Sequence, residues 1–217
     1  MAMVLRVRHM VNKRFYIIWS FVCSMLYATE GECSSPVPVM EETVAEVLSS
    51  LEAVCVVDAK PSVIEGVIED VFIPHVDANL ITKQILGRRY WEESTPKERA
   101  ELEVLLKGLI THHYAEAFNC KQLKNKMEFY PMRGEIKKYA RVESSIEVNG
   151  QEPVHLRYAV RCVDGNWRIY DLVVNGLSLG QTYRSQFNSI LKKGGAAELV
   201  AYLTSKMNKG DDELSTN

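Results

Sequence analysis

Histidines and cysteines are the first candidates for chemistry in this chain of 217 residues. His112 and His113 are adjacent on a predicted helix, where neighbouring side chains point about 100° apart, so the two cannot share a metal ion. His113 lies beside the apolar stripe of that helix, which favours a hydrogen-bonded, partly buried histidine. The chain also lacks the Walker loop, the G-x-S-x-G elbow, the dinucleotide-binding glycine pattern and the H-E-x-x-H zinc motif. The sequence therefore predicts neither a metal centre nor an enzyme built on these motifs.

Asp171 is the carboxylate whose position most resembles that of a catalytic group. By alternation it lies on the same face of a predicted strand as Trp167, Ile169 and Val173, and a carboxylate on a pocket-facing strand could act as a base. The alternative is that Asp171 binds backbone amides or an arginine such as Arg184 near the strand end. Because no second catalytic group accompanies it, we favour the structural role.

Four of the five cysteines lie downstream of the N-terminal segment, at Cys33, Cys55, Cys120 and Cys162. In an oxidising compartment four cysteines can form disulfides in three alternative pairings, which the sequence does not distinguish. Reduced and mostly buried thiols are the other interpretation. No C-x-x-C pair and no Cys/His spacing indicates a zinc site.

Residues 1–28 have the layout of a secretory signal peptide. A basic segment ending at Lys13-Arg14 precedes the apolar run Phe15–Tyr27, which is too short to span a bilayer comfortably. Ala28 suits the last position before cleavage, and an uncleaved anchor is the alternative. Removing the four cations of this segment takes the net charge from −2 to −6, which argues against nucleic acid as a partner. The sequence thus predicts export.

The remaining chain is predicted to form a flexible leader (29–37), one domain (38–207) and a polar tail (208–217). Helical periodicity begins near Glu41 and is longest in the helix that Thr95, Pro96 and Glu98 start, where they form a capping box. Near the C-terminus, the pair Gly194-Gly195 separates two further amphipathic helices.

Between these helices the apolar period changes from helical to alternating. Apolar residues alternate with polar ones over 140–148, 154–162 and 167–173, separated by the turn pairs Asn149-Gly150 and Asp164-Gly165. Together with Met127–Arg133 they predict about four antiparallel strands with one apolar face each. Helices before and after a strand meander indicate an α+β fold, with a curved sheet packed against several helices.

Three segments of the sequence resemble a known family. They are Val71–Asp77 (VFIPHVD), Leu86–Arg99 (LGRRYWEESTPKER), and the long block that starts at Gly165 (GNWRIYDLVVNGLSL) and continues through YRSQF and SIL to Gly194-Gly195. In this order they resemble the MlaC-type, toluene-tolerance family of periplasmic phospholipid-binding proteins, and the similarity covers roughly residues 40–207.

The resemblance implies a periplasmic carrier that shuttles glycerophospholipid within an Mla-type transport system and so maintains outer-membrane lipid asymmetry. Its partners would be an inner-membrane ABC transporter complex with its MCE-domain subunit and an outer-membrane lipoprotein/porin complex. Phospholipid would be the cargo, with no cofactor and no nucleic acid. The rival classes are an enzyme with the cone-shaped fold of ketosteroid isomerases, in which Asp171 is the base, and a non-transporting interaction domain.

A carrier of this kind requires a large apolar pocket between sheet and helices. We expect its sheet side to be formed by Val142, Leu156, Tyr158, Val160, Ile169 and Val173. We expect its helical side to be formed by Val67, Val71, Ile81, Ile85, Leu105, Leu109 and Phe187. Arg88, Arg89 and Tyr90 are placed at its mouth, where the arginines would favour phosphate or an acidic partner.

Overall fold

A computed structural model describes residues 33–55, 59–117, 120, 123, 126–132, 134–147 and 152–214. The predicted signal peptide and the Asn149-Gly150 turn lie outside this part of the chain. The described residues include five α-helices: α1 (Pro36–Val54), α2 (Pro61–Val67), α3 (Ala78–Glu93), α4 (Pro96–Ala117) and α5 (Leu179–Leu214). A wide turn (Ile68–Phe72) and a tight 3₁₀ turn (Ile73–His75) connect α2 to α3. No helix within the described ranges combines the length and the apolar character that crossing a membrane requires.

The corner between α3 and α4 is fixed by the predicted capping box, which is confirmed. The Thr95 hydroxyl accepts from the Glu98 amide at 3.2 Å, and the Glu98 carboxylate accepts from the Thr95 amide at 2.6 Å. Arg99 reinforces the corner, because it donates to the carbonyl oxygens of Trp91 and Ser94 and lies 4.5 Å from the centre of the Trp91 ring. The two helices are thereby held in a defined orientation.

Two helices bend at glycines in conformations that other residues rarely adopt. α3 bends at Gly87 (φ 70°), where the guanidinium of Arg184 occupies the space that a Cβ would need. α5 bends at Gly194 and Gly195 (φ 65° at Gly195), which confirms the predicted break between two amphipathic segments. α5 continues to Leu214, into the segment predicted as a polar tail.

The sheet is an antiparallel meander in the order β1-β2-β3-β4-β5. Its strands are β1 (Met127–Phe129), β2 (Tyr139–Ile146), β3 (Val154–Val163), β4 (Asn166–Val174) and the two-residue β5 (Leu177–Ser178). The four strands expected from alternation are present, with β5 as an addition, and the α+β class is confirmed. The turn between β3 and β4 uses Asp164 and Gly165, both with positive φ.

Among the described residues, the buried apolar side chains form three separate clusters. The first joins α3, α4 and α5 through residues such as Ile85, Leu106 and Leu199. The second lies on one face of the sheet and includes Val160 with Met40 of α1. The third lies around Leu51, Ile64 and Ala115 of α1, α2 and α4. The molecule therefore has several small cores rather than one.

Two disulfides hold α1 at both ends. Cys33 is bonded to Cys162 at the end of β3, and Cys55, directly after α1, is bonded to Cys120, beyond α4. The indole of Trp167 also donates to the Ser34 carbonyl at 2.9 Å. Of the interpretations that the sequence left open, the structure selects this pairing, and the interpretation as reduced thiols is wrong.

Asp77 joins the helices to the sheet. Its amide donates to the Ile169 carbonyl of β4 at 2.8 Å, and its carboxylate caps α3 by accepting from the Leu80 amide at 3.0 Å. The second carboxylate oxygen accepts from the Arg161 guanidinium of β3. The start of α3 is consequently fixed against the edge of β4.

Candidate functional site

An apolar cavity of about 300 Å³ lies where the three buried clusters meet. Its walls include Ile85 and Leu106 from the helical cluster, Ile169 from the sheet cluster and Leu51 from the α1–α2 cluster. This volume is at the lower end of the range of about 300–1,000 Å³ for ligand sites. It is smaller than the unusually large pocket expected from the sequence.

The lining is mostly aliphatic and aromatic, with contributions from every helix except α2 and from the middle of β4. The lining residues are Val47, Leu51, Ile68, Phe72, Ile73, Val76, Ala78, Ile81, Thr82, Ile85, Glu103, Leu106, Lys107, Ile110, Thr111, Tyr114, Ile169, Tyr170, Asp171, Leu172, Leu179, Gly180 and Tyr183. Such a surface suits an apolar ligand with few polar groups.

Polar lining groups are concentrated on one stripe of α4. Glu103, Lys107, Thr111 and Tyr114 follow one another at intervals of three or four residues, which places them on the same side of the helix. The Glu103 carboxylate accepts a hydrogen bond of 2.5 Å from the side-chain amide of Asn79. Lys107 forms no ion pair within the described residues, so its ammonium group is available for an anion.

Two of the residues that line the cavity are tyrosines with neutral hydroxyl groups. Burial, together with the neighbouring Tyr183, raises the pKa of Tyr114 to about 12, and burial also raises the pKa of Tyr183. The Tyr183 hydroxyl lies 3.2 Å from Nδ1 of His113. At neutral pH both phenols therefore remain protonated and can donate hydrogen bonds.

The histidines on α4 serve as hydrogen-bonding groups. His112 Nδ1 lies 2.7 Å from a carboxylate oxygen of Glu65 on α2. The side chain of His113 is exposed, whereas the sequence predicted partial burial. The helix turns it outward from the apolar stripe while its ring still reaches Tyr183. Within the described residues, no group of three His, Cys, Asp or Glu side chains is arranged to hold a metal ion.

Asp171 does not share a face with Trp167 and Ile169, which corrects the prediction from alternation. Ala159 is paired with Asp171 but Val160 with Ile169, so Tyr170 is an extra residue that forms a bulge. The bulge reverses the alternation after Ile169, because a shift of one residue moves every later side chain to the other face.

The hydrogen bonds of Asp171 agree with the structural role favoured from the sequence, in which it binds backbone amides. Its carboxylate accepts from the Ser178 hydroxyl at 2.6 Å and from the Gly180 amide at 3.1 Å. Asp171 thus binds free groups at the start of α5, where a negative charge is also favoured by the helix dipole.

The structure brings together only part of the residue set predicted to line the pocket. Ile81, Ile85 and Ile169 line the cavity. The others lie in the adjoining clusters or near the surface: Val142, Leu156, Tyr158 and Val160 on the sheet; Leu105, Leu109 and Phe187 in the helical cluster; Val67 beside Ile64; Val71 in the wide turn; and Val173 in a shallow depression with Leu156. Their contact with a ligand stays a prediction.

The residues predicted at the mouth lie away from this cavity. Arg88 and Arg89 are exposed and form ion pairs of 2.9 Å with Glu92 and Glu93, one turn further along α3. Arg89 and Tyr90 line a different, polar depression together with residues around the α5 bend. If Arg89 and Tyr90 contact a partner protein, they do so from this depression and not from the cavity.

Sequence reasoning missed most of the polar lining. Leu105 and Leu109 of α4 were expected at the pocket and lie in the helical cluster, whereas Lys107, Thr111 and Tyr114 line the cavity. The available signal was the spacing of Glu103, Lys107 and Thr111, which recur at every fourth position. On a solvent-exposed face such residues need no explanation, so spacing alone did not single them out.

Comparison with known proteins identifies the family. The family model described as MlaC protein matches residues 41–205, which is most of the chain. The chain belongs to the MlaC family. This match includes all five described helices in whole or in part, all five strands and every residue that lines the cavity.

Individual relatives are distant but extend over most of their length. The toluene tolerance protein Ttg2D of Pseudomonas putida is 23% identical over 162 residues, covering 74% of this chain and 75% of that protein. The intermembrane phospholipid transport system binding protein MlaC of Haemophilus influenzae is 23% identical over 194 residues, covering 87% and 90%. A phospholipid-binding protein from Ralstonia solanacearum, solved in complex with a phospholipid, has the same fold, with a TM-score of 0.69 and 24% identity over 81% of this chain and 98% of that one.

Proposed function

We propose that this MlaC-family protein is a periplasmic carrier that binds a glycerophospholipid in the cavity at the junction of its three apolar clusters. The cavity carries the proposal, because it combines a continuous apolar wall with a short polar stripe on α4. The names of its relatives, which refer to phospholipid binding and intermembrane transport, support the same function.

The two kinds of lining match the two parts of a phospholipid. Leu51, Phe72, Ile85 and Ile169 offer aliphatic and aromatic surface to acyl chains. Lys107, which has no ion pair among the described residues, offers a cation to the phosphate. The acyl chains would therefore lie among the three clusters, with the phosphate near Lys107.

The energetic need for a carrier follows from the cost of exposing an acyl chain to water. A sixteen-carbon chain costs on the order of 13 kcal/mol, at about 0.8 kcal/mol per methylene. A lipid therefore leaves a membrane or a carrier only when another apolar site is adjacent. We infer that loading and release occur while the protein is docked to its partners. These would be the outer-membrane lipoprotein/porin complex and the inner-membrane ABC transporter with its MCE-domain subunit.

The periplasmic location has two supports. Residues 1–28 have the pattern of a signal peptide, and disulfides such as Cys33–Cys162 and Cys55–Cys120 form and persist in oxidising compartments. The shuttle would maintain the lipid asymmetry of the outer membrane in the role that the resemblance implies.

Native mass spectrometry tests the binding step. The full chain would be expressed with its own signal in a Gram-negative host, released from the periplasm and analysed under non-denaturing conditions. We expect a population that carries glycerophospholipid, identified after extraction. Protein that is folded and always lipid-free, with no extractable phospholipid, would overturn the proposal.

A pair of lysine variants tests the place of the phosphate. Lys107→Met keeps an unbranched side chain, one atom shorter, but removes the charge, so we expect lower lipid occupancy in the same spectra. Lys97→Met is the matched control, because Lys97 lies on the exposed surface of the same helix and pairs with Glu101. Equal occupancy in both variants would show that Lys107 does not hold the phosphate.

A further inference from the structure

Two buried threonines that line the cavity have no hydrogen-bond partner within the described residues. Thr82 of α3 is 0% exposed and Thr111 of α4 is 2% exposed, and both line the cavity. Neither hydroxyl oxygen has a partner among the described residues. Buried hydroxyls are almost always paired, because an orphaned one loses its hydrogen bonds to water without replacement. Two orphans in one cavity therefore call for a common cause.

Other helical threonines of the same chain show the usual solution. Thr43 donates to the Val39 carbonyl at 2.8 Å, and Thr182 donates to the Ser178 carbonyl at 2.8 Å. Each uses the carbonyl four residues earlier, which is always within reach in a helix. Thr82 and Thr111 make no such bond within the described residues, and their hydroxyl oxygens are enclosed, so a ligand oxygen reaches them only when the side chains turn toward the cavity.

The position of Thr111 limits what that group can be. Thr111 follows Lys107 by one turn of α4, a rise of about 6 Å. Both residues line the cavity from the same side of the helix. In a glycerophospholipid the ester carbonyl oxygens are separated from the phosphate only by the glycerol unit. A phosphate at Lys107 therefore leaves the ester carbonyls within reach of the next turn.

We propose that Thr82 and Thr111 donate hydrogen bonds to the ester carbonyl oxygens of the bound lipid, so that the cavity recognises acyl esters. This inference rests on the proposed function and adds that the protein recognises the ester groups of the lipid. It makes the linkage between glycerol and hydrocarbon, rather than the headgroup alone, a determinant of specificity. Lipids with ether linkages lack these carbonyls and would leave both hydroxyls unpaired.

The test compares diester and diether lipids of the same headgroup and chain length. Delipidated full-length protein would be titrated with diacyl and dialkyl phosphatidylglycerol, in competition with a fluorescent lipid probe. We expect the wild type to prefer the diester on the order of tenfold, since each hydroxyl contributes one hydrogen bond. In the double variant T82V/T111V, which keeps the side-chain shape, the two lipids should bind equally.

A matched variant and a second readout guard against effects on folding. Thr43→Val removes a buried hydroxyl that is already paired and does not line the cavity, so it should keep the diester preference while lowering the melting temperature. T82V/T111V should instead melt at the same or a higher temperature, because valine leaves no orphaned hydroxyl.

Three outcomes would overturn the inference. One is a wild type that binds diester and diether equally, and another is a preference that survives in T82V/T111V. A third is a free fatty acid that binds more tightly than the diester and loses this advantage in T82V/T111V, which would assign the hydroxyls to a carboxylate. Failure to bind any of these lipids would instead contradict the proposed function itself, so the two failures are distinguishable.

Discussion

At the scale of single residues, Asp171 shows how one inserted residue changes the strand face, and so the role, of a carboxylate. Alternation along β4 placed it beside Trp167 and Ile169, in the position of a possible catalytic base. The bulge at Tyr170 moves it to the other face, where it accepts hydrogen bonds from Ser178 and Gly180. A bulge depends on the pairing with β3 and has no signature in the strand itself, so the sequence could not reveal it.

This assignment predicts the effect of Asp171→Asn. The amide keeps the shape but weakens two hydrogen bonds that the carboxylate accepts, so we expect the free energy of unfolding to fall by about 1–3 kcal/mol. Urea denaturation would measure the change. The exposed Asp70→Asn is the control and should differ from the wild type by less than about 0.5 kcal/mol. Equal stability of the Asp171 variant and the wild type would contradict the capping role.

At the scale of elements, α1 differs from the other helices because covalent bonds hold both of its ends. Cys33 precedes it and Cys55 follows it, and each is bonded to a different part of the fold. Between these bonds, α1 contributes Val47 and Leu51 to the cavity wall. The disulfides therefore help to keep one wall of the cavity in place.

Removal of the second disulfide should loosen this wall. We expect the variant C55A/C120A to lose about 2–4 kcal/mol of stability, since the bond closes a long loop in the unfolded chain. Urea denaturation measures the loss, and hydrogen exchange should show faster exchange in the C-terminal half of α1. Reductant breaks both disulfides, so the reduced wild type should be less stable than the oxidised variant. Unchanged exchange in α1 would mean that packing alone holds it.

Local signals in the sequence predicted the elements better than they predicted the cavity. The capping box at Thr95 and the Gly194-Gly195 break were readable because each depends on neighbouring residues. The start of α1 at Pro36, earlier than the predicted Glu41, was not, because Cys33 and Ser34 hold this segment through contacts with distant Cys162 and Trp167.

At the scale of the whole molecule, the cavity lies between cores instead of inside one. Apolar spacing identifies which residues of an element avoid water, but not which of the three clusters receives them. Val160 and Phe187 were therefore expected to face one pocket, whereas they fill different clusters. The order of helical and alternating apolar patterns predicted the fold class, while the lining depended on tertiary packing.

Because all three clusters contribute to its walls, a ligand in the cavity should stabilise the molecule as a whole. At a free lipid concentration of one hundred times the dissociation constant, we expect about 2.7 kcal/mol of added stability, seen as a higher melting temperature. Ile110→Trp, which fills the cavity from α4, should abolish this rise. Val104→Trp on the outer side of α4, where Val104 is 63% exposed, should retain it. A rise that persists in Ile110→Trp would place the lipid elsewhere.

The disulfide pairing also has a consequence for biogenesis. The two bonds are nested in the chain, since Cys33–Cys162 encloses Cys55–Cys120. In the proposed export to the periplasm Cys33 would emerge before Cys55, so an oxidase that joins thiols in order of emergence would produce a non-native bond. Reaching the nested pattern then requires reshuffling, which takes seconds to hours depending on oxidant and isomerase. The yield of this protein should accordingly depend on a thiol isomerase in the compartment where it folds.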